Sequence, residues 1–140
     1  MLQRWDSSDI TVTSKSGGKL GGVVLGIALL GTDGIYVAHN KIDGGNQDRD
    51  SISMQIGSTT SKYGIAEKNV FMGNNLSLAN TKYSVYCGQY SAENVFVGNS
   101  GKNAVDYGTN NKITGLTPVS GGVGSEISEA IDNMGKHGIE

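Results

Sequence analysis

One cysteine, Cys87, in 140 residues leaves no partner for an intrachain disulfide and no thiolate set for a structural zinc site. The only two histidines, His39 and His137, have no partners at ligand spacing, so neither a metal site nor a cofactor is expected. Basic runs are missing as well. The 11 Lys and Arg and 13 Asp and Glu are spread along the chain for a formal charge of −2, which leaves nucleic acid without an electrostatic footprint. Long apolar runs are absent too. The most apolar stretch, residues 20–30 (LGGVVLGIALL), holds three glycines and falls short of the roughly 20 residues a bilayer requires. It begins behind a mixed polar stretch and no small-residue cleavage site follows, so buried strand is expected there, with no membrane insertion and no secretion signal. No nucleophile elbow, phosphate loop or dinucleotide fingerprint occurs.

What the chain does have is glycine, 22 residues against a single proline. Disordered linkers are glycine-rich too, but they lack regularly spaced Val/Ile clusters. Here such clusters recur from residue 10 to residue 113. Many short strands joined by Gly/Asn turns are expected, and at this length one domain.

Two near-identical hexads, Asn69 to Asn74 (NVFMGN) and Asn94 to Asn99 (NVFVGN), lie 25 residues apart. They belong to a lane of triplets: Ile10-Thr11-Val12, Ile35-Tyr36-Val37, Val70-Phe71-Met72, Val95-Phe96-Val97 and Ile113-Thr114-Gly115, spaced by 25, 35, 25 and 18. A second lane has the pattern apolar-x-apolar-Gly: Val23 to Gly26, Met54 to Gly57, Val85 to Gly88 and Val105 to Gly108, spaced by 31, 31 and 20. The lanes interleave strictly. A chain that winds in coils produces that order, with insertions entering at the turns. The predicted fold is all-β: a parallel β-helix or solenoid of about four coils over residues 1–116. An antiparallel sandwich is the alternative. Asn74 and Asn99, with Asn40 nearby, are expected to stack at a repeated turn.

Beyond the only proline, Pro118, residues 117–140 read as a Gly-rich hinge and a short C-terminal α-helix. Ser125 suits the N-cap, and Ile127, Ala130, Ile131 and Met134 fall at i, i+3, i+4 and i+7. So short a helix needs a surface to pack on: the open end of the coils, or the same helix in other subunits.

Strand alternation assigns candidate surfaces. With Val95 and Val97 facing inward, Tyr36, Phe71 and Phe96 form an external aromatic column and a candidate oligomer interface, joined by Ile127, Ile131 and Met134. The last triplet favours this phase, because the opposite one puts Lys112 and Thr114 inside around Ile113; the opposite phase makes the aromatics core. On the other lane Gln55, Tyr86 and Asp106 point outward, an aromatic with hydrogen-bonding neighbours, and form a candidate carbohydrate-binding column. Cys87 faces inward as an inert thiol. Two carboxylate pairs, Asp48 with Asp50 and Glu67 with Glu93, read as solvated turn charges rather than a catalytic dyad.

The coils EKNVFMGNN (67–75) and AENVFVGNS (92–100) resemble those of the pectate-lyase-like right-handed β-helix superfamily. Within it, the chain is similar to the distal part of a bacteriophage tailspike or tail fibre. The resemblance covers roughly residues 9–116. It implies a homotrimer on the virion tail that binds, and often cleaves, host cell-surface polysaccharide. No catalytic motif of that family is present, so no catalytic residue is carried over. A structural and host-recognition module is therefore expected. The alternatives are a depolymerase, lyase or glycosidase, with an intersubunit active site, and an adhesin fragment on a bacterial cell surface.

Overall fold

The structure is a computed structural model that describes residues 6–7, 11–13, 25–43 and 52–120. The chain begins with β1 (Asp6–Ser7) and β2 (Thr11–Thr13). It continues through β3 (Leu25–Leu29), β4 (Tyr36–Ala38) and β5 (Lys41–Asp43), then β6 (Ile52–Ile56), β7 (Ala66–Glu67) and β8 (Val70–Met72). Next come β9 (Tyr83–Cys87), β10 (Ser91–Ala92) and β11 (Val95–Val97), and last β12 (Asn103–Asp106), β13 (Lys112–Ile113) and β14 (Thr117–Pro118). A single 3-10 turn, Ser61–Tyr63, is the only helical element among the described residues. The helix expected over residues 125–135 lies outside them.

All the strand pairs described are parallel. Two five-stranded sheets dominate: β1-β4-β8-β11-β13, here the Phe sheet, and β3-β6-β9-β12-β14, here the Tyr sheet. Two narrow sheets, β7 with β10 and β2 with β5, lie between them in chain order. Single bridges extend both narrow sheets, from Asp33 to Glu67, from Ala92 to Thr109, and from Lys41 through Asn75 to Ser100. From β3 onward the chain therefore visits the Tyr sheet, the β7–β10 column, the Phe sheet and the β2–β5 column, then returns to the Tyr sheet. Each circuit lays its strands beside those of the one before.

Register fixes which residues stack. In the Phe sheet one row is Tyr36, Val70, Val95 and Lys112, and the next is Val37, Phe71, Phe96 and Ile113. The second row faces the core. Val37, Phe71 and Phe96 are fully buried, and the two phenylalanine rings stack at 4.3 Å with 9° between their planes. The expected outward aromatic column is thereby corrected. Phe71 and Phe96 are core, and Tyr36 stands in a different row.

The cause is a slip of one residue. Ile113 pairs with Phe96, not with Val95, so Lys112 and Thr114 sit outside while the phenylalanines sit inside. A shift of one residue exchanges the two faces of a strand. The first triplet is corrected too, since Thr11–Thr13 pairs with Lys41–Asp43 rather than with the Phe sheet.

In the Tyr sheet the rows are Ile27, Met54, Val85 and Ala104, then Ala28, Gln55, Tyr86 and Val105, then Leu29, Ile56, Cys87 and Asp106. The Met54-to-Val85 spacing agrees with the sequence expectation; the flanking circuits are offset from it. Met54, Ile56, Val85, Cys87 and Ala104 meet Val37, Phe71 and Phe96 in one core cluster. A second cluster holds Ile52, Tyr83, Tyr86 and Val105, with Leu30 and Tyr63 packed against it. Both faces of the Tyr sheet are thus covered, and all five residues of β6 and of β9 are buried. Burial pushes the Cys87 thiol well above its ordinary ionisation range, and the neighbouring Asp106 carboxylate adds to the shift.

Two asparagine ladders bound the Phe sheet, and they account for both ends of the repeated hexads. On one side Asn69 donates from its backbone N and from Nδ2 to Asn94 Oδ1, at 3.0 and 2.9 Å. Asn94 does the same to Asn111 Oδ1, again at 3.0 and 2.9 Å. On the other side Asn40 donates twice to Asn74 Oδ1, and Asn74 twice to Asn99 Oδ1. The amides also reach across circuits: Asn94 Nδ2 donates to Ala66 O, Asn74 Nδ2 to Val37 O and Asn99 Nδ2 to Phe71 O, each at 3.0 Å. A short amide with one double acceptor and two donors is suited to a corner where backbone N–H groups of one circuit would otherwise be buried unpaired.

Each ladder position follows a residue in the left-handed region, which turns the chain at that corner. Before one ladder these are Gly34, Lys68, Glu93 and Asn110, with φ of 71°, 55°, 56° and 54°. Before the other they are His39, Gly73, Gly98 and Gly115, with φ of 57°, 64°, 67° and 79°. At Gly73 a second constraint acts, since a Cβ there would lie 2.8 Å from His39 Nδ1.

Candidate functional site

Outside the Tyr sheet lies a cleft of about 290 Å³ lined by Thr59, Tyr86, Gln89 and Tyr107. Tyr86 reaches it from β9 on the face opposite Val85 and Cys87, as strand alternation requires. Tyr107 follows β12, and its backbone N–H donates to Cys87 O at 2.9 Å. Thr59 and Gln89 come from turns of adjacent circuits drawn tightly together. Gly88 makes that approach possible, because a Cβ there would lie 2.6 Å from Gly57 O and 2.7 Å from Ser58 O. The same turn is held by Tyr90 N donating to Ser58 O at 3.1 Å and Thr60 N donating to Ser58 Oγ at 3.0 Å.

The aromatic wall is ordered. Tyr86 meets the edge of Tyr107 at 5.8 Å and 61°, and Tyr83 stands tilted to it at 6.1 Å and 55°. Tyr86 is almost completely buried, whereas Tyr107 is 50% exposed and forms the accessible side of the cleft. Lys82 Nζ sits 5.5 Å from the Tyr83 ring centre, a cation–π contact. The cleft itself carries the two tyrosine rings with their phenol groups, the Gln89 amide and the Thr59 hydroxyl, with no carboxylate and no cation in its lining among the described residues. Its chemistry suits a neutral, hydroxyl-rich ligand rather than an ion.

The expected Gln55, Tyr86, Asp106 column is corrected by the register. Gln55 and Tyr86 share a row, but the next member is Val105, and Asp106 pairs with Cys87. Gln55 is fully buried; its Nε2 donates to Gly57 O at 2.6 Å, while Oε1 has no partner among the described residues. Asp106 Oδ1 accepts from Gly108 N at 2.9 Å and from Asn111 Nδ2 at 3.0 Å, which makes it a turn anchor. Only Tyr86 of the three lines the cleft. Gln89 and Tyr107 escaped the sequence reading. The signal for Tyr107 was present but misplaced, because a spacing of 20 instead of 19 put its side chain inside.

Tyr36 is half-buried on the outer face of the Phe sheet and donates through its hydroxyl to Met72 Sδ at 3.3 Å. Met72 and Val97 stand side by side there, 38% and 39% exposed. Glu67 and Glu93 do not share a row, since Glu67 pairs with Ala92. Asp48, Asp50, Ile127, Ile131, Met134 and His137 lie outside the described residues. Among the described residues no group of three His, Cys, Asp or Glu side chains could hold a metal ion, and no helix is long and apolar enough to cross a membrane. The chain matches no protein-family model, no curated protein and no solved structure.

Proposed function

We propose that this chain is a structural and host-recognition module, a stretch of right-handed parallel β-helix of the bacteriophage tailspike or tail-fibre kind. Its outer cleft takes a neutral sugar unit of a bacterial surface polysaccharide. The observation that carries this reading is the cleft of Thr59, Tyr86, Gln89 and Tyr107, where two tyrosine rings in edge contact stand beside the Gln89 amide and the Thr59 hydroxyl. Apolar and aromatic walls with a few placed polar groups are the usual make-up of a small-ligand site, and a pyranose offers a C–H face and hydroxyls to match. The repeated parallel register and the two amide ladders support the β-helical reading, because each circuit pairs with the one before in the same four places.

A homotrimer on the virion tail belongs to the same proposal. Met72 and Val97 on the outer face of the Phe sheet replace the buried phenylalanines as the apolar contact available to it. No carboxylate lines the cleft among the described residues, and the role proposed for it is binding.

Saturation-transfer NMR with neutral and acidic bacterial oligosaccharides tests the site. Transfer from a neutral oligosaccharide is expected, and Tyr107→Ala should abolish it without moving the melting temperature. If the variant binds as the parent does, or if only acidic sugars bind, the reading fails.

A further inference from the structure

Among the described residues Ile65 and Tyr107 are the most exposed large hydrophobics, each at 50%. Both belong to the corner where the chain leaves the Tyr sheet for the β7–β10 column. The register shows why they are uncovered. Leu29, Ile56, Cys87 and Asp106 share a row at the end of that sheet. Asp33, Glu67, Ala92 and Thr109 share a row in the column beyond. In successive circuits the chain goes from the first row to the second in 4, 11, 5 and 3 residues.

From β6 onward each crossing is shorter than the one before, so each circuit leaves part of its predecessor's corner bare. The corner therefore descends in steps. Thr59 and Ile65 belong to the longest crossing, Gln89 and Tyr90 to the middle one and Tyr107 to the shortest. The cleft takes one residue from each: Thr59, Gln89 and Tyr107.

The upper steps carry more than the cleft uses. Ala66 and Ser91 are paired and almost fully buried, so alternation turns Ile65 and Tyr90 outward on adjacent circuits. Tyr90 is half-buried. It adjoins the cleft twice over, because it follows Gln89 in the chain and its N–H donates to Ser58 O beside Thr59. Its own carbonyl accepts from Ala66 N at 3.0 Å, which leaves an aliphatic side chain and a ring as the recognition surface. Neighbouring circuits lie ~4.8 Å apart, close to the advance of one sugar unit along a chain. A methyl group gains by burial against Ile65 and Tyr90, whereas a hydroxymethyl group in its place gives up hydration.

We propose that Ile65 and Tyr90 form a second subsite, which takes a 6-deoxyhexose unit joined to the neutral unit in the cleft. The subsite rests on the reading of the cleft as a sugar site and extends it from one unit to two.

NMR titration of the full chain tests this with methyl glucoside, methyl galactoside and methyl mannoside, and with the rhamnosyl, fucosyl and glucosyl disaccharides of each. The rhamnosyl or fucosyl form is expected to bind ~10-fold tighter than its hexoside, and a 6-deoxy disaccharide that binds where its hexoside does not counts as the same gain. The glucosyl form should gain much less. Ile65→Ser with Tyr90→Ala should erase the gain and leave hexoside affinity unchanged. Should that pair fail to fold, Ile65→Ser alone is expected to reduce the gain. No gain in the parent, a gain that survives these substitutions, or an equal gain from the glucosyl form overturns the second subsite while the cleft reading stands. Absence of binding by every sugar, or binding untouched by Tyr107→Ala, overturns the cleft reading and the second subsite with it.

Discussion

The Phe sheet and the Tyr sheet have five strands each but treat their two faces differently. In β8 and β11 one residue of three is buried, and its neighbours are half-buried or exposed. In β6 and β9 every residue is buried. The Phe sheet is a wall between core and surroundings, and the Tyr sheet is a partition between two apolar clusters. Polar residues follow the same division. The Phe sheet is bounded by amides whose hydrogen bonds are shared from circuit to circuit. The Tyr sheet holds isolated polar contacts that do not continue as a ladder, such as Ser53 Oγ with Thr81 Oγ1 at 2.7 Å.

The largest expected effect tests the one-sidedness of the Phe sheet. Phe96→Ala removes a fully buried ring stacked on Phe71 and is expected to cost roughly 3–5 kcal/mol of stability, read from the urea midpoint. Val97→Ala, one residue along on the exposed face, should stay within about 1 kcal/mol. Equal losses would mean that the outer face is buried as fully as the core, so that the contact proposed at Met72 and Val97 makes the wall a partition as well.

Next in size is the contrast between laddered and isolated polar bonds. Asn94→Ala leaves Asn69 N and Nδ2 without their acceptor and Ala66 O without its donor, all within a buried corner. A loss of roughly 2–4 kcal/mol is expected, since each unsatisfied buried group costs about 1–3 kcal/mol and neighbours relax in part. Ser53→Ala in the Tyr sheet breaks one hydroxyl pair and should cost about 1 kcal/mol. If the two substitutions destabilise equally, the ladders are no more than separate hydrogen bonds.

This contrast also explains what the sequence revealed. The hexads gave the true register between Val70 and Val95, and the spacing from Met54 to Val85 was equally correct, because in these circuits residues of the same type meet the same surroundings. Toward the ends the surroundings change. Val37 replaces Phe, His39 replaces Gly at the left-handed corner, and Leu116 replaces Asn, so the likeness that aligns the circuits fades. Ile35-Tyr36-Val37 has no polar residue to mark its phase, and matching it one residue out placed Tyr36 beside Phe71. The same slip at Ile113 turned the aromatic column inside out. The cleft was harder to foresee. Strands buried on both faces carry no alternation that separates an inward residue from an outward one. Ile52 and Tyr83 join the outer cluster although they lie two residues from the inner Met54 and Val85, so even a correct register misplaces them.

The smallest effect asks whether the partition has any polar requirement of its own. Gln55 sits at the centre of the Tyr sheet, fully buried, between Ala28 and Tyr86 in its row. Among the described residues its amide makes one bond, Nε2 to Gly57 O, and leaves Oε1 without a partner. Gln55→Met keeps the length and nearly the volume of the side chain while removing both the bond and the orphaned acceptor. The loss of one hydrogen bond, about 1 kcal/mol, is opposed by relief of a desolvated oxygen that costs about as much, so the urea midpoint is expected to stay level or rise slightly. Asn69, Asn74 and Asn94 in the ladders offer no such cancellation, because each of their side-chain amides both accepts and donates. A loss of ~2 kcal/mol or more on Gln55→Met would instead mean that an ordered water bonds Oε1 in solution, as buried water does at otherwise unsatisfied groups. The outer cluster would then depend on polar contacts as the ladders do, and the distinction between the two sheets would reduce to exposure alone.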